Sequence, residues 1–252
     1  MRSQILLATC MLLVICGSLH AQDLAKVCHA TSSYDLTVEQ DRLVFDRDAP
    51  APTRVVLGAG TLQTDGQPVA LNDEDQDRIN LFQRDVRALM PRVKSVAQHG
   101  VAITMQTIHD ESGSLNLDPD TRAELDQRLA AHATDLRQRI ADSHSTHDWH
   151  GDAADNYANQ ILSDITPLLA SSLGQQALNA AMTGDLQQAG TLRDQASNVA
   201  TNFQPRLEGR LQALRPEIQA LCPDIQRLSQ LQEGLRASNG RPLGAGLHSH
   251  LR

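Results

Sequence analysis

Cys28 and Cys222 constrain this chain more than any other feature, because they lie near opposite ends of the region that can fold. Residues 1–21 are organised like a secretory signal peptide, with Arg2 at the start, an apolar run, and Ala21 at a plausible cleavage position. The two other cysteines lie within that segment and are removed with it. An exported chain enters an oxidising compartment, where paired thiols form disulfides. We therefore predict a Cys28–Cys222 bond that joins the two ends of the folded region.

The charge of the chain narrows the range of its partners. There are 22 Lys and Arg residues against 30 Asp and Glu residues. Cleavage near Ala21 removes one arginine and no acid, so the net charge becomes 21 − 30 = −9. Phosphate backbones and anionic lipid surfaces repel such a chain. We therefore expect no nucleic-acid partner. The apolar run of the leader is shorter than the roughly 20 residues that a membrane span requires, and cleavage removes it, so we expect no membrane span in the mature protein.

Residues 22–71 have the pattern of a small antiparallel sheet. Tyr34, Leu36 and Val38 alternate with polar residues, which is the period of a half-buried strand. The Asp65-Gly66 pair between β-prone segments is typical of a hairpin turn, because glycine accepts a positive φ. We predict three to five strands. The other predicted strand segments are residues 43–45, 54–57 and 61–64.

Residues 72–236 have the pattern of an elongated helical bundle. Asn72 is a suitable N-cap, and the acids after it favour the positively polarised first turn of a helix. Asp118-Pro119 is a second helix start, since proline is favoured at the first helical position. Apolar residues recur at spacings of three and four, as in packed helices. Together with the sheet, this pattern predicts an α+β fold.

Proline positions predict where the helices break. Pro91 is expected to kink or divide the first helix, because proline lacks a backbone donor and crowds the preceding turn. Another helix is expected to end near Pro167 and to be followed by a separate short helix over residues 173–182. The last helical region, residues 207–235, is expected to be segmented. Residues 237–252 lack periodicity and are predicted to be a disordered tail.

Several short features occur in an order that is found in one family. An export signal precedes Cys28, the segment 60–71 closes the β region, Leu89-Met90-Pro91 lies in the first long helix, and Cys222 lies in the C-terminal helical region. This arrangement resembles the YggN-like family of Gram-negative periplasmic proteins, whose function is unknown, over most of residues 28–235. The resemblance implies a periplasmic location and the cysteine pair. It implies no catalytic residues.

His144, His147 and His150 form the sharpest chemical feature of the sequence, with Asp148 and Asp152 beside them. Imidazoles in an exported loop can bind zinc or copper. On a helix His150 would lie about 120° from His144, so the three rings would converge only if the loop curls. The trio therefore predicts either a metal site or an ordinary polar loop between helices.

Patterns for catalysis are weak. Ser145 adjoins His144 and lies near Asp148, but the Gly-x-Ser-x-Gly motif of a serine hydrolase is missing from the sequence. Asp110 and Glu111 in a predicted loop could form an acid/base pair, although solvated loop carboxylates are common. Aromatic residues make up only 2% of the chain, which disfavours aromatic-lined substrate pockets.

We therefore expect a non-enzymatic periplasmic protein that binds through helical surfaces, above all through the apolar seam over residues 207–235, and has no catalytic residues and no cofactor. Its partners would be other periplasmic or envelope proteins, or a second copy of the chain. One alternative is a metal-binding protein that uses His144, His147 and His150 to hold zinc or copper. Another alternative is an envelope hydrolase.

Export predicts a specific N-terminus for the mature protein. When the full chain is expressed in a Gram-negative host, the protein should fractionate with the periplasm and begin at Gln22. The physical reason is that Leu19-His20-Ala21 supplies the small residue at the cleavage site. N-terminal sequencing checks this expectation. Recovery of a chain that still begins at Met1 would contradict it.

Overall fold

The computed structural model has the predicted α+β fold, in which a small antiparallel five-stranded sheet is followed by mostly helical segments. It describes residues 27–28, 30–113, 115, 117–149, 152–233, 235 and 248–249. The predicted signal peptide lies outside the described residues. The strands are β1 (Ala30–Thr31), β2 (Asp35–Val38), β3 (Arg42–Asp46), β4 (Arg54–Gly58), β5 (Thr61–Thr64), β6 (Gln67–Pro68) and β7 (His248–Ser249).

Six α-helices lie wholly within the described residues, and two short 3-10 turns connect some of them. The α-helices are α1 (Asp73–Ser112), α2 (Pro119–Asp142), α3 (Asp152–Thr183), α4 (Leu186–Leu211), α5 (Arg215–Gln219) and α6 (Cys222–Gln232). The 3-10 turns are Thr146–Trp149 and Gln212–Leu214.

The chain forms two compact units. The sheet unit consists of the described residues within Ser18–Val96, Asp142–Gly151 and Arg215–Arg252. The helical unit consists of those within Ala97–Ala141 and Asp152–Leu214. Helix α1 contributes residues to both units.

The sheet unit is built on an antiparallel meander in the order β2-β3-β4-β5-β6. Phe45 pairs with Leu36 on one side and with Val55 on the other, so these three side chains share one face of the sheet. That face packs against α1 and against the C-terminal helix α6. The buried residues of this core are Tyr34, Leu43, Phe45, Val55, Leu57, Leu62, Ile79, Phe82, Val86, Leu228 and Leu235.

The predicted hairpin at Asp65-Gly66 is confirmed. Both residues have positive φ, 49° and 77°, which matches the right-handed twist of the flanking strands. The Asp65 carboxylate also accepts hydrogen bonds from the Thr53 backbone N–H (2.8 Å) and the Arg54 backbone N–H (3.0 Å). The bond from Arg54 is the largest factor that lowers the pKa of Asp65 below its ordinary value. The same residue thus makes the turn and fixes the start of β4.

Helix α1 begins where the sequence predicts. The Asn72 side chain accepts a hydrogen bond from the Asp75 backbone N–H at 2.8 Å, as an N-cap does. Ile79, Phe82 and Val86 then line the face that packs on the sheet. These residues are spaced by three and four positions, so one stripe of the helix is buried.

The helix end predicted near Pro167 was wrong, because Pro167 lies inside α3. Of the two effects predicted for Pro91, a kink or a division, the division does not occur, since α1 runs without interruption over Asp73–Ser112. The separate short helix predicted for residues 173–182 is the C-terminal part of α3. Proline removes one intrahelical hydrogen bond, but apolar residues on both sides of each proline pack into hydrophobic clusters. Packing against residues distant in sequence therefore outweighs the tendency of proline to break a helix.

Breaks in the C-terminal helical region occur as predicted. A 3-10 turn separates α4 from α5, and α6 begins at Cys222 with Pro223 in its first turn.

Within the predicted tail, His248–Ser249 pair with Ala30–Thr31 as two short antiparallel strands. The other residues of that tail lie outside the described residues.

The Cys28–Cys222 disulfide is present, with the two Cα atoms 5.0 Å apart across a sequence separation of 194. Cys28 is 2% exposed. Leu221 and Ile225 are buried beside it, and Val93 of α1 packs against the same cluster. The bond thus lies inside the sheet unit and ties the first described residues to the start of α6.

The helical unit has two apolar clusters. Leu125 and Leu129 of α2 pack with Ile165 and Leu168 of α3 in the first cluster. The Asp118-Pro119 start of α2 is confirmed, because the Asp118 carboxylate accepts a hydrogen bond from the Thr121 backbone N–H at 2.9 Å. The second cluster contains Val101, Ala133 and Ile140, with Ala97, Met105 and Leu136 against it.

Removing the disulfide should lower stability substantially. Replacing both Cys28 and Cys222 with alanine opens a closed loop of nearly the whole folded chain, which restores entropy to the unfolded state. On chain entropy alone the loss is about 5 kcal/mol. Urea unfolding of the double variant against the wild type measures it. Equal midpoints for the two proteins would contradict a structural role for the bond.

Candidate functional site

The histidine-containing loop lies on the edge of the sheet. Val38 of β2 donates its backbone N–H to the His144 carbonyl at 2.8 Å, and Leu36 donates its own to the Thr146 hydroxyl at 2.9 Å. Ser145 forms an isolated bridge with Thr37 of the same strand. An edge strand otherwise presents unpaired backbone groups to other chains. This loop therefore covers the β2 edge.

His144 and His147, the two described histidines of the predicted trio, have different environments. His147 Nδ1 lies 3.3 Å from an Asp35 carboxylate oxygen, and His144 is exposed while its carbonyl bonds to Val38. His150 lies outside the described residues. Within the part of the chain that the structure describes, no group of three His, Cys, Asp or Glu side chains is arranged to hold a metal ion. Metal binding by the complete trio stays a prediction.

The serine of the same loop is engaged in holding the loop on the sheet. Ser145 Oγ lies 3.1 Å from the Thr37 hydroxyl and accepts a hydrogen bond from the His147 backbone N–H at 3.2 Å. The Asp148 carboxylate accepts a hydrogen bond from the Ser143 hydroxyl at 3.0 Å. Ser143 Oγ also accepts from the Trp149 indole at 2.8 Å. These hydrogen bonds hold the loop in place, and they do not connect Ser145, His144 and Asp148 as a Ser-His-Asp triad would.

The candidate acid/base pair is not in a loop, as the sequence suggested, but in the last turn of α1. The Glu111 carboxylate is 7% exposed and accepts two hydrogen bonds from Arg206 of α4, at 2.6 and 2.8 Å. Asp110 accepts a bond of 2.5 Å from Arg210, one turn further along α4. That bond is the largest factor that lowers the pKa of Asp110. Both acids thus join α1 to α4.

Sequence reasoning missed a polar cluster between α2 and α3. His132 Nε2 lies 3.0 Å from an Asp164 carboxylate oxygen, and Arg128 donates to the same carboxylate at 2.9 Å. Tyr157 donates its hydroxyl to the His132 carbonyl at 3.0 Å, and burial raises the pKa of Tyr157 to about 12. The sequence feature that could have indicated this cluster is the four-residue spacing of Arg128 and His132, which places both on one face of a helix. The cluster joins the two helices through mutually bonded groups.

The seam over residues 207–235 is not the open surface that the sequence predicted, because its apolar side chains pack inside the molecule. The buried ones are Leu207, Leu214, Leu221, Ile225, Leu228 and Leu235.

Exposed apolar side chains lie instead on one side of α3. Leu178 is 56% exposed and Met182 is 78% exposed, and the two lie one helical turn apart on the same side of the helix. Ala177 and Ala181 beside them are also exposed. We call Ala177, Leu178, Ala181 and Met182 the α3 apolar face. Exposed large apolar side chains in contact with one another are typical of interaction sites.

The opposite side of α3 is buried. Ala180 lies roughly 200° around the helix from Leu178, given 3.6 residues per turn, and it is fully buried. On α4, which packs with α3, Leu192 is 8% exposed. Packing within the helical unit therefore uses one side of α3 and leaves the apolar face to solvent.

The matching family model is described as a protein of unknown function (DUF2884), and it covers residues 28–239. This chain belongs to that family. The matched region includes both disulfide cysteines, the histidine loop and the α3 apolar face. The description does not name the YggN-like proteins, so that narrower resemblance stays a prediction.

Neither the curated proteins nor the solved structures gave a match. Among the described residues, none of the helices is both long and apolar enough to cross a membrane.

The metal-binding alternative predicts a clear difference between two variants. If the trio holds an ion, replacing His144, His147 and His150 with alanine should remove zinc or copper affinity, because the imidazole ligands are gone. Calorimetric titration of the wild type and the variant measures this. His99→Ala, which removes an exposed histidine of α1, is the matched control. Equal affinity in all three proteins would exclude the trio.

Proposed function

We propose that this chain is an exported periplasmic protein that acts without catalysis, by binding another protein chain through the α3 apolar face. The exposure of Leu178 and Met182 on one side of α3 is the observation that carries the proposal. The partner would be another periplasmic or envelope protein, or a second copy of the chain.

Two features support export. The N-terminal residues have the composition of a cleaved leader, and a disulfide connects the two cysteines that remain after cleavage. Stable structural disulfides are characteristic of oxidising compartments such as the bacterial periplasm. A periplasmic location is also what the resemblance to the YggN-like family implies.

Polar side chains support a binding role over catalysis. The carboxylates singled out in the sequence, Asp110 and Glu111, bind arginines of α4, and the Asp164 carboxylate binds Arg128 and His132. These groups connect helices. Solvent-facing Leu178 and Met182 make no comparable contribution to the core, so their apolar character is better explained by a partner.

Net negative charge supports a protein partner over nucleic acid. The formal net charge of −8 for the full chain disfavours approach to a phosphate backbone. Residues of the α3 apolar face carry no charge that would attract one. Apolar recognition between helical surfaces needs no such charge, because burial of apolar area drives it.

Site-specific photocrosslinking in periplasm tests the proposal. A photoreactive phenylalanine analogue at position 178 should give a discrete covalent adduct, since a bound partner would lie within a few ångströms. The same analogue at Ala131, an exposed position on α2, is the matched control and should give none. Mass spectrometry identifies the captured chain.

Confirmation comes from the purified components. Association between the protein and the chain identified by crosslinking should weaken when Leu178 is replaced with glutamate, because burial of a carboxylate in an apolar contact is costly. No adduct at position 178, or the same adduct pattern at 131, would contradict the proposed function.

A further inference from the structure

The segment that carries the α3 apolar face is nearly free of charge. From residue 165 to residue 192, through the end of α3 and the start of α4, Asp185 is the one charged residue in the sequence. In the chain as a whole 21% of residues are charged. Leu178 and Met182 lie within this segment and are the exposed large apolar residues of it that the structure describes.

We infer that the α3 apolar face binds the same face of a second copy of this chain, as a symmetric helix-to-helix contact. This inference rests on the proposed function and names its partner. In a two-fold interface each patch meets its own copy, so a charged patch would repel itself near the axis. A charge-free face avoids that repulsion.

The charge of the whole chain strengthens the choice of partner. Two copies of the mature chain, each with a net charge of 21 − 30 = −9, repel one another over most of their surfaces. The contact between them must therefore lie where the local charge is lowest, and the segment 165–192 meets that condition. The neutral amides of Gln175 and Asn179, which are exposed near the face, both donate and accept hydrogen bonds and can pair with copies of themselves.

Other occupants fit this face less well. A partner recognised by opposite charge needs charged residues around the contact, and segment 165–192 supplies only Asp185. An anionic lipid surface is bound by helices that carry Lys or Arg beside their apolar side, and the same segment has neither. A second copy needs only matching apolar side chains.

Helix geometry fits a close approach. Ala177 and Ala181 are small and exposed, while Leu178 and Met182 project beside them. In an antiparallel pair that crosses near Leu178, the large side chains of one copy can pack over the small side chains of the other. Leu178 would then lie near its own copy across the two-fold axis.

The size of the α3 apolar face sets the expected affinity of the dimer. A stable interface buries about 800 Å² per partner, and the four side chains of the α3 apolar face supply only part of that area. The dimer should therefore be weak, with a Kd of roughly 10 µM or above. Dimer formation would follow the local concentration of the protein.

Sedimentation velocity over roughly two decades of concentration around that Kd tests the inference. Wild-type protein should dimerise, and Leu178→Glu should raise the Kd at least tenfold because two carboxylates would meet at the axis. Ala131→Glu adds the same charge on α2 and should leave the Kd unchanged. An equal mixture of Leu178→Glu and Leu178→Lys should restore dimers, which a misfolded variant could not do.

The outcomes separate the inference from the proposed function. A crosslinked adduct of twice the chain mass at position 178, with dimerisation of the pure protein, supports both. An adduct with a different protein, while the pure wild type stays monomeric, overturns the inference and leaves the proposed function standing. Flotation with phosphatidylglycerol vesicles that Leu178→Glu weakens would overturn the inference in favour of a lipid surface. No adduct at position 178 overturns both.

Discussion

The sheet unit depends on one covalent constraint, the bond between Cys28 and Cys222. It holds the first described residues against the start of α6. Leu228 of that helix and Leu235, which follows the helix, complete the apolar core under the sheet. Five short strands bury too little on one face to be stable without a helical cover. Part of that cover comes from the far end of the chain. The disulfide restricts the unfolded chain, and so lowers the entropic cost of pairing the two distant segments.

The polar residues with the strongest chemical patterns in the sequence are mainly used to hold elements together. His144 and Ser145 pair with β2 and cover an edge that would otherwise be open to other strands. Glu111 binds Arg206, and Asp164 binds His132, so these acids connect helices. Among the described residues, Leu178 and Met182 of the α3 apolar face are the most exposed large apolar side chains, and internal packing does not account for them.

Local signals predicted the elements that depend on neighbouring residues, and failed where distant contacts decide. The cap at Asn72 and the turn at Asp65 were predictable because side chain and backbone partner lie within a few residues. The continuity of α1 through Pro91 could not be predicted, because the residues around Pro91 are buried against the sheet and α6, and a local rule does not include these distant contacts. Glu111 was placed in a loop because its partner Arg206 lies 95 residues away. The exposure of Leu178 could not be predicted either, since its helical spacing is the same as that of a core residue.

If the disulfide holds the sheet unit together, the bond between Cys28 and Cys222 should form when the chain enters an oxidising compartment. Non-reducing tryptic mapping of protein isolated from periplasm tests this most directly, with thiols alkylated before digestion. Trypsin should release the peptides 27–42 and 211–227, because the Arg215-Pro216 bond resists cleavage. These two peptides should appear as one covalently joined species that separates on reduction. Recovery of both as individually alkylated peptides without reduction would contradict it.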